Sequence, residues 1–161
     1  GITGPLCDRK ASLMDLAART SPTTALEVTG IAALCGQNPF SPKPSLKSTC
    51  DKVISSNYNV IAAAPHMHLL GSTLKLILNP GTSAETTLLN VTNYNFDDQS
   101  ATVLKKPVAV KAGDTIRVEC TYDPTLRQKL PALRDLPARY ITWGEGSSDE
   151  MCLGVIAATK S

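Results

Sequence analysis

His66 and His68 are the two histidines of this chain, and one residue, Met67, separates them. In a β-strand, alternate side chains point to the same face. This spacing therefore sets two imidazoles side by side and sends Met67 to the opposite face. Two neighbouring imidazoles make half of a metal site. With no histidine left, the third ligand must be a carboxylate, a thiolate or a thioether. A carboxylate favours zinc or iron, whereas a thioether favours copper, above all Cu(I). The methionines are Met14, Met67 and Met151. Met151 ends the run Gly146-Ser147-Ser148-Asp149-Glu150-Met151 and leads, through Cys152, into an apolar segment.

The elements that must carry these residues read as strands. Ile116, Val118, Cys120 and Tyr122 alternate with Thr115, Arg117, Glu119 and Thr121, a period of two. Leu74, Leu76 and Leu78 alternate in the same way. Val108 and Val110 precede Lys111-Ala112-Gly113-Asp114, which reads as a hairpin turn. Further strands are expected over 24–33, 55–68, 85–95, 100–104, 138–143 and 150–158, and one helix over 10–19. Residues 36–49 and 123–137 read as loops, the second as a surface excursion. Asp97-Asp98 and Asp149-Glu150 read as turn or solvated-face residues, because neighbours on a strand face opposite sides. Lys105-Lys106 reads as a solvated strand end, and Tyr140 and Trp143 as core or rim packing. Short strands punctuated by 11 prolines and 10 glycines predict an all-β fold, an antiparallel β-sandwich or jelly roll.

Composition sets the outer bounds. The 161 residues fit a single domain, 1–161, with enough chain to bury a core. A net charge of +2 with scattered Lys and Arg gives no case for a nucleic-acid or anionic-membrane partner. No apolar run approaches the roughly 18 residues of a membrane span. No signal peptide and no initiator Met are present, so Gly1 reads as a processed or truncated start with a preceding domain missing. Cysteines at 7, 35, 50, 120 and 152 form neither a CxxC pair nor a zinc-finger spacing. Dispersed cysteines of this kind suit disulfides in an oxidising compartment, so the chain is expected to be secreted, extracellular or periplasmic. Asn90-Val91-Thr92, a glycosylation sequon, agrees weakly with that. A Cys35–Cys50 bridge would close a loop of 50 − 35 + 1 = 16 residues, worth roughly 3 kcal/mol in the chain-entropy model.

Three segments in order carry a family resemblance. His66-Met67-His68-Leu69-Leu70-Gly71 resembles the His-x-His-x-x-Gly motif of the copper type II, ascorbate-dependent monooxygenases, the family of peptidylglycine α-hydroxylating monooxygenase and dopamine β-monooxygenase. Val108 through Tyr122 resembles that family's Val-x-Val, Gly-Asp and Cys-x-Tyr/Phe pattern. Ser147-Ser148-Asp149-Glu150-Met151-Cys152 resembles its Glu-Met-Cys segment. The likeness covers about residues 55–157, and Leu26-Glu27-Val28-Thr29-Gly30 resembles the start of the family's second domain.

The resemblance implies a catalytic copper held by His66, His68 and Met151, which reduces O₂ and drives hydrogen abstraction from a substrate C–H bond. It implies ascorbate or another external reductant, and a small-molecule substrate with an activated C–H bond. It also implies a Cys120–Cys152 disulfide that steadies Met151, leaving Cys35–Cys50 as the next pairing and Cys7 as the odd thiol. The family's second copper uses three histidines of a preceding electron-transfer domain. This chain has none to spare and looks like the catalytic half. The amidating enzyme has an Arg two residues before its first ligand histidine, where this chain has Ala64. Its substrate-facing Asn, Tyr and Met correspond here to Leu153, Val155 and Ala157. By strand alternation these share a face with Met151, as Ala62 and Ala64 do with the histidines. The expected substrate pocket is thus small and apolar, and not a peptide-amidating one.

Two other classes of function stand beside this reading. One is a non-catalytic extracellular copper-binding or jelly-roll interaction module. The other is a copper store or carrier. Reductant-dependent O₂ consumption separates them from an enzyme.

Overall fold

A computed structural model of the chain describes residues 24–25, 46–137 and 144–160. Within these residues the fold is an antiparallel all-β sandwich. The first sheet holds β1 (Thr24–Ala25), β8 (Cys152–Lys160), β3 (Tyr58–Met67) and β6 (Thr102–Val110), in that order. The second holds β2 (Lys47–Val53), β7 (Thr115–Tyr122), β4 (Gly71–Leu78) and β5 (Thr86–Val91).

The alternation read along 115–122 is the one the fold uses. Ile116, Val118, Cys120 and Tyr122 point inward and are buried, while their odd-numbered neighbours are half-buried on the outer face. β8 repeats the pattern with Cys152, Gly154, Ile156 and Ala158 inward. Between the sheets, Met67, Leu74, Leu76, Val118 and Ile156 are almost wholly shielded. Each such side chain contributes about 1.5–3 kcal/mol relative to exposure. Gly154 is needed for this contact, because a Cβ there would collide with the Leu76 side chain of the opposite sheet.

The Cys120–Cys152 disulfide is present and ties β7 of one sheet to β8 of the other, with Cα atoms 5.8 Å apart. Cys50 is also disulfide-bonded. Its expected partner Cys35 lies outside the described residues. So do Cys7, Met14, the helix over 10–19, the strand over 138–143 with Tyr140 and Trp143, and most of the strand over 24–33.

The structure corrects several local expectations. Lys111-Ala112-Gly113-Asp114 does form a tight turn, with Gly113 at φ 94° and Asp114 N donating to Lys111 O at 3.0 Å. It is not a hairpin, however. It carries the chain from β6 in the first sheet to β7 in the second, because β6 pairs with β3 and β7 with β2 and β4. The segments 100–104 and 108–110 are one strand, β6. Its register against β3 jumps between Val60↔Val108 and Ala62↔Val103, so Leu104–Pro107 form a bulge on an edge strand. Lys105 and Lys106 stand there in solvent, as expected, but in the middle of β6 rather than at a strand end. The end of the 36–49 loop belongs to β2, whose charged outward positions Lys47 and Asp51 hide its alternation.

Residues 123–137 are more than a surface excursion. They hold two single-turn helices, α1 (Leu126–Lys129) and α2 (Pro131–Arg134), and Leu133 is fully buried. Among the described residues no helix is long and apolar enough to cross a membrane.

Candidate metal centre

β3 brings His66 to the outer face of the first sheet and Met67 to the core, as alternation requires. The strand stops at Met67. His68 then opens a tight turn closed by Gly71 N donating to His68 O at 3.0 Å. Gly71 has to be glycine, since a Cβ there would lie 2.8 Å from both Met67 Cβ and the Tyr94 ring. The same tyrosine grips the backbone between the histidines. Its hydroxyl donates to Met67 O at 2.6 Å and accepts from Met67 N at 2.9 Å. Burial pushes the Tyr94 phenol up to about 12.

The β3–β8 register aligns Met67 with Cys152 and His66 with Leu153. Met151, the residue just before β8, is thereby delivered to the histidines across the strand pair. Its Sδ lies 3.3 Å from His66 Nε2. The two imidazoles stand edge to face, with ring centroids 5.3 Å apart. Both are buried, at 8% and 4% exposure. His66 and Met151, 85 positions apart in the chain, are therefore in one cluster with His68.

Neighbouring loops orient the rings. Gln99 Oε1 sits 2.6 Å from His66 Nδ1. The Phe96 ring packs edge-on against His68 at 6.2 Å. Glu150 holds the turn from the other side. It is 3% exposed, and it accepts from His68 N at 3.1 Å and Leu70 N at 2.6 Å. Burial pushes its carboxyl up to about 7, although the N–H groups of Leu70, His68 and Met151 and the Arg127 charge pull the other way. Its assignment to a solvated face is thus overturned. It precedes β8, so strand alternation does not govern it, and backbone donors offset its burial.

The donor set suits a soft ion. Two buried imidazoles and a thioether favour Cu(I) over harder cations. A donor separation of 3.3 Å is what two ligands of one ion have when each bond is about 2.0–2.3 Å. Among the described residues no group of three or more His, Cys, Asp or Glu could hold a metal. Among the described residues, therefore, no carboxylate or thiolate joins the two imidazoles in such a group.

The expected substrate-facing residues lie along one surface. His66 pairs with Leu153, Ala64 with Val155, and Ala62 with Ala157, all on the outer face of the first sheet. Ala64, Leu153, Val155 and Ala157 are half-buried there. A separate pocket of about 330 Å³ opens beside His68, with Leu69, Tyr94, Phe96, Leu126 and Leu130 in its walls.

Sequence reasoning missed Tyr94, Phe96, Gln99 and Glu150. One signal was available: Asn93-Tyr94-Asn95-Phe96 concentrates two aromatics in a chain that is only 4% aromatic.

Fold and site together define an antiparallel β-sandwich with a His-x-His pair and a distant methionine at the ends of two inner strands of one sheet. The family model for the C-terminal domain of copper type II ascorbate-dependent monooxygenases matches residues 36–157, and the chain belongs to that family. Among solved structures, the chain is similar to a Podospora anserina GH26-CBM35 beta-(1,4)-mannanase at 12% identity and a TM-score of 0.28. That match covers 86% of this chain and 25% of the other, and so low a score carries no argument.

Proposed function

We propose that this domain holds one copper ion through His66, His68 and Met151 and acts as the catalytic half of a monooxygenase that hydroxylates an activated C–H bond. The observation that carries this reading is the 3.3 Å approach of Met151 Sδ to His66 Nε2, beside the His68 ring, in a chain of this family. Copper bound there would supply one-electron chemistry with O₂, fed by ascorbate or another external reductant.

The chain's own residues have distinct tasks in this scheme. The two imidazoles and the thioether provide soft donors, and burial of both rings restricts water at the centre. The Tyr94 clip, the Gly71 turn and Glu150 fix the backbone from which His66 and His68 project. Ala62, Ala64, Leu153, Val155 and Ala157 offer a small apolar floor next to His66. It holds no cation, so the substrate is a small molecule with an apolar body rather than a carboxylate-terminated peptide. A separate electron-transfer copper domain is the expected partner, since both histidines of this chain are used at one centre. A secreted, extracellular or periplasmic setting fits the disulfides, and Asn90 of the sequon is exposed on β5.

X-ray absorption at the copper edge, on protein loaded with Cu(I), tests the ligand set. The expected result is one copper with two nitrogen neighbours and a sulfur shell that vanishes in Met151→Ala. A sulfur shell that survives the substitution, or no stoichiometric copper, overturns it.

The histidine count favours one alternative, a copper-binding module that does not turn over alone. O₂ consumption that depends on reductant and is lost in His66→Ala would decide for the enzyme.

A further inference from the structure

The amide of Gln99 makes two contacts, and together they fix which nitrogen of His66 carries its proton. Gln99 Nε2 donates to Phe96 O at 2.8 Å. A carbonyl oxygen can only accept, so the amide cannot be turned round without setting oxygen against oxygen. Oε1 must therefore face His66, where it lies 2.6 Å from Nδ1. An amide oxygen also only accepts, so Nδ1 is the protonated nitrogen. In the neutral ring the Nε2 lone pair then faces Met151 Sδ at 3.3 Å. Two electron-pair donors at that distance repel unless a cation shares them.

The loop that supplies Gln99 also supplies Phe96, whose ring packs on His68. The loop is braced locally. Asp97 N donates to Asn95 Oδ1 at 3.1 Å, Ser100 Oγ donates to Asp98 Oδ1 at 2.6 Å, and Asn95 and Asp98 form a β-bridge. One short segment thus packs against both imidazoles from outside β3 and the turn that bear them.

We propose that Gln99 is a positioning residue. It holds His66 in its Nδ1–H tautomer, with Nε2 presented to a soft cation shared with Met151. The inference rests on the copper reading for the identity of the cation, but not for the tautomer. Partners of this kind, bonded to the outer nitrogen of a ligating imidazole, typically change metal affinity by about 10–100-fold.

The tautomer is read in the metal-free protein by long-range ¹H–¹⁵N correlation at about pH 8, above the ordinary histidine value of about 6.5. The expected spectrum has the proton on His66 Nδ1. In Gln99→Leu the proton is expected to shift towards Nε2, which an unconstrained imidazole prefers. Competition against a Cu(I) chelator should then give about 10–100-fold weaker binding for Gln99→Leu. A wild-type His66 protonated at Nε2 overturns the proposal outright, whether or not the variant folds. So does a Gln99→Leu protein with an unchanged tautomer and unchanged affinity. A wild type that binds no Cu(I) overturns the functional reading instead, and the metal-free spectrum still decides the role of Gln99.

Discussion

The carboxylate of Glu150 grips the turn that begins at His68. It accepts from His68 N at 3.1 Å and from Leu70 N at 2.6 Å, from a position 3% exposed to solvent. The residue before Met151 thus holds the turn that follows the histidine pair, and the two halves of the site are fastened by backbone hydrogen bonds. Removing the acceptor leaves two buried N–H groups without it, each costing about 1–3 kcal/mol. Glu150→Ala should therefore lose about 2–6 kcal/mol of unfolding free energy, measured by urea denaturation. Glu150→Gln should lose less, since one oxygen still accepts while its NH₂ meets a donor.

Tyr94 should make stability fall at alkaline pH. Its phenol rises from 10.0 to about 12 through burial, so the folded state favours the neutral form. A group raised on folding contributes stability that is whole below its unfolded value and lost as pH climbs through the folded one. The window is therefore pH 10 to about 12. Tyr122 shifts in the same direction, so the comparison must be made with a variant. Tyr94→Phe should be less stable at neutral pH, because Met67 N and O lose their partner, and should show a shallower decline above pH 10, followed by thermal melts.

Gly71→Ala should damage the centre without touching a donor atom. The new Cβ would lie 2.8 Å from Met67 Cβ and from the Tyr94 ring, so the turn or the ring must move. Overpacking of this kind costs about 1–3 kcal/mol. The expected outcome is a lower melting temperature together with weaker Cu(I) binding, measured by calorimetry and chelator competition on the same protein.

The Cys120–Cys152 bridge spans the two sheets and closes 152 − 120 + 1 = 33 residues. The chain-entropy model assigns such a loop about 4 kcal/mol. The paired variant Cys120→Ala/Cys152→Ala should fall by about that amount in guanidinium unfolding. Cys152 adjoins Met151, so copper affinity should also fall as the thioether loses its anchored neighbour.

The strand core was legible because its signal is local. The alternation of Ile116, Val118, Cys120 and Tyr122 states which face is buried, and β7 buries that face. The glycine of the His-x-His-x-x-Gly segment was legible as part of a motif. Its reason lay elsewhere, in a tyrosine 23 residues on whose ring fills the space a Cβ would need. The 111–114 turn was recognised as a turn but assigned to a hairpin. Whether two consecutive strands pair or part depends on the long-range pairings of β6 with β3 and β7 with β4.

From the sequence alone came the two histidines one residue apart, the distant methionine, the dispersed cysteines and the period-two strands. These determine an all-β fold and a set of soft donors. Tertiary structure alone decided that Met151 reaches His66, that Gln99 and Phe96 pack against the rings, and that Glu150 is buried beneath the turn. The physical reason is that a hydrogen bond or a ring contact depends on which loops meet in space. Loops carry no periodicity to announce it, and a charged residue reads as solvated until backbone donors are found waiting for it.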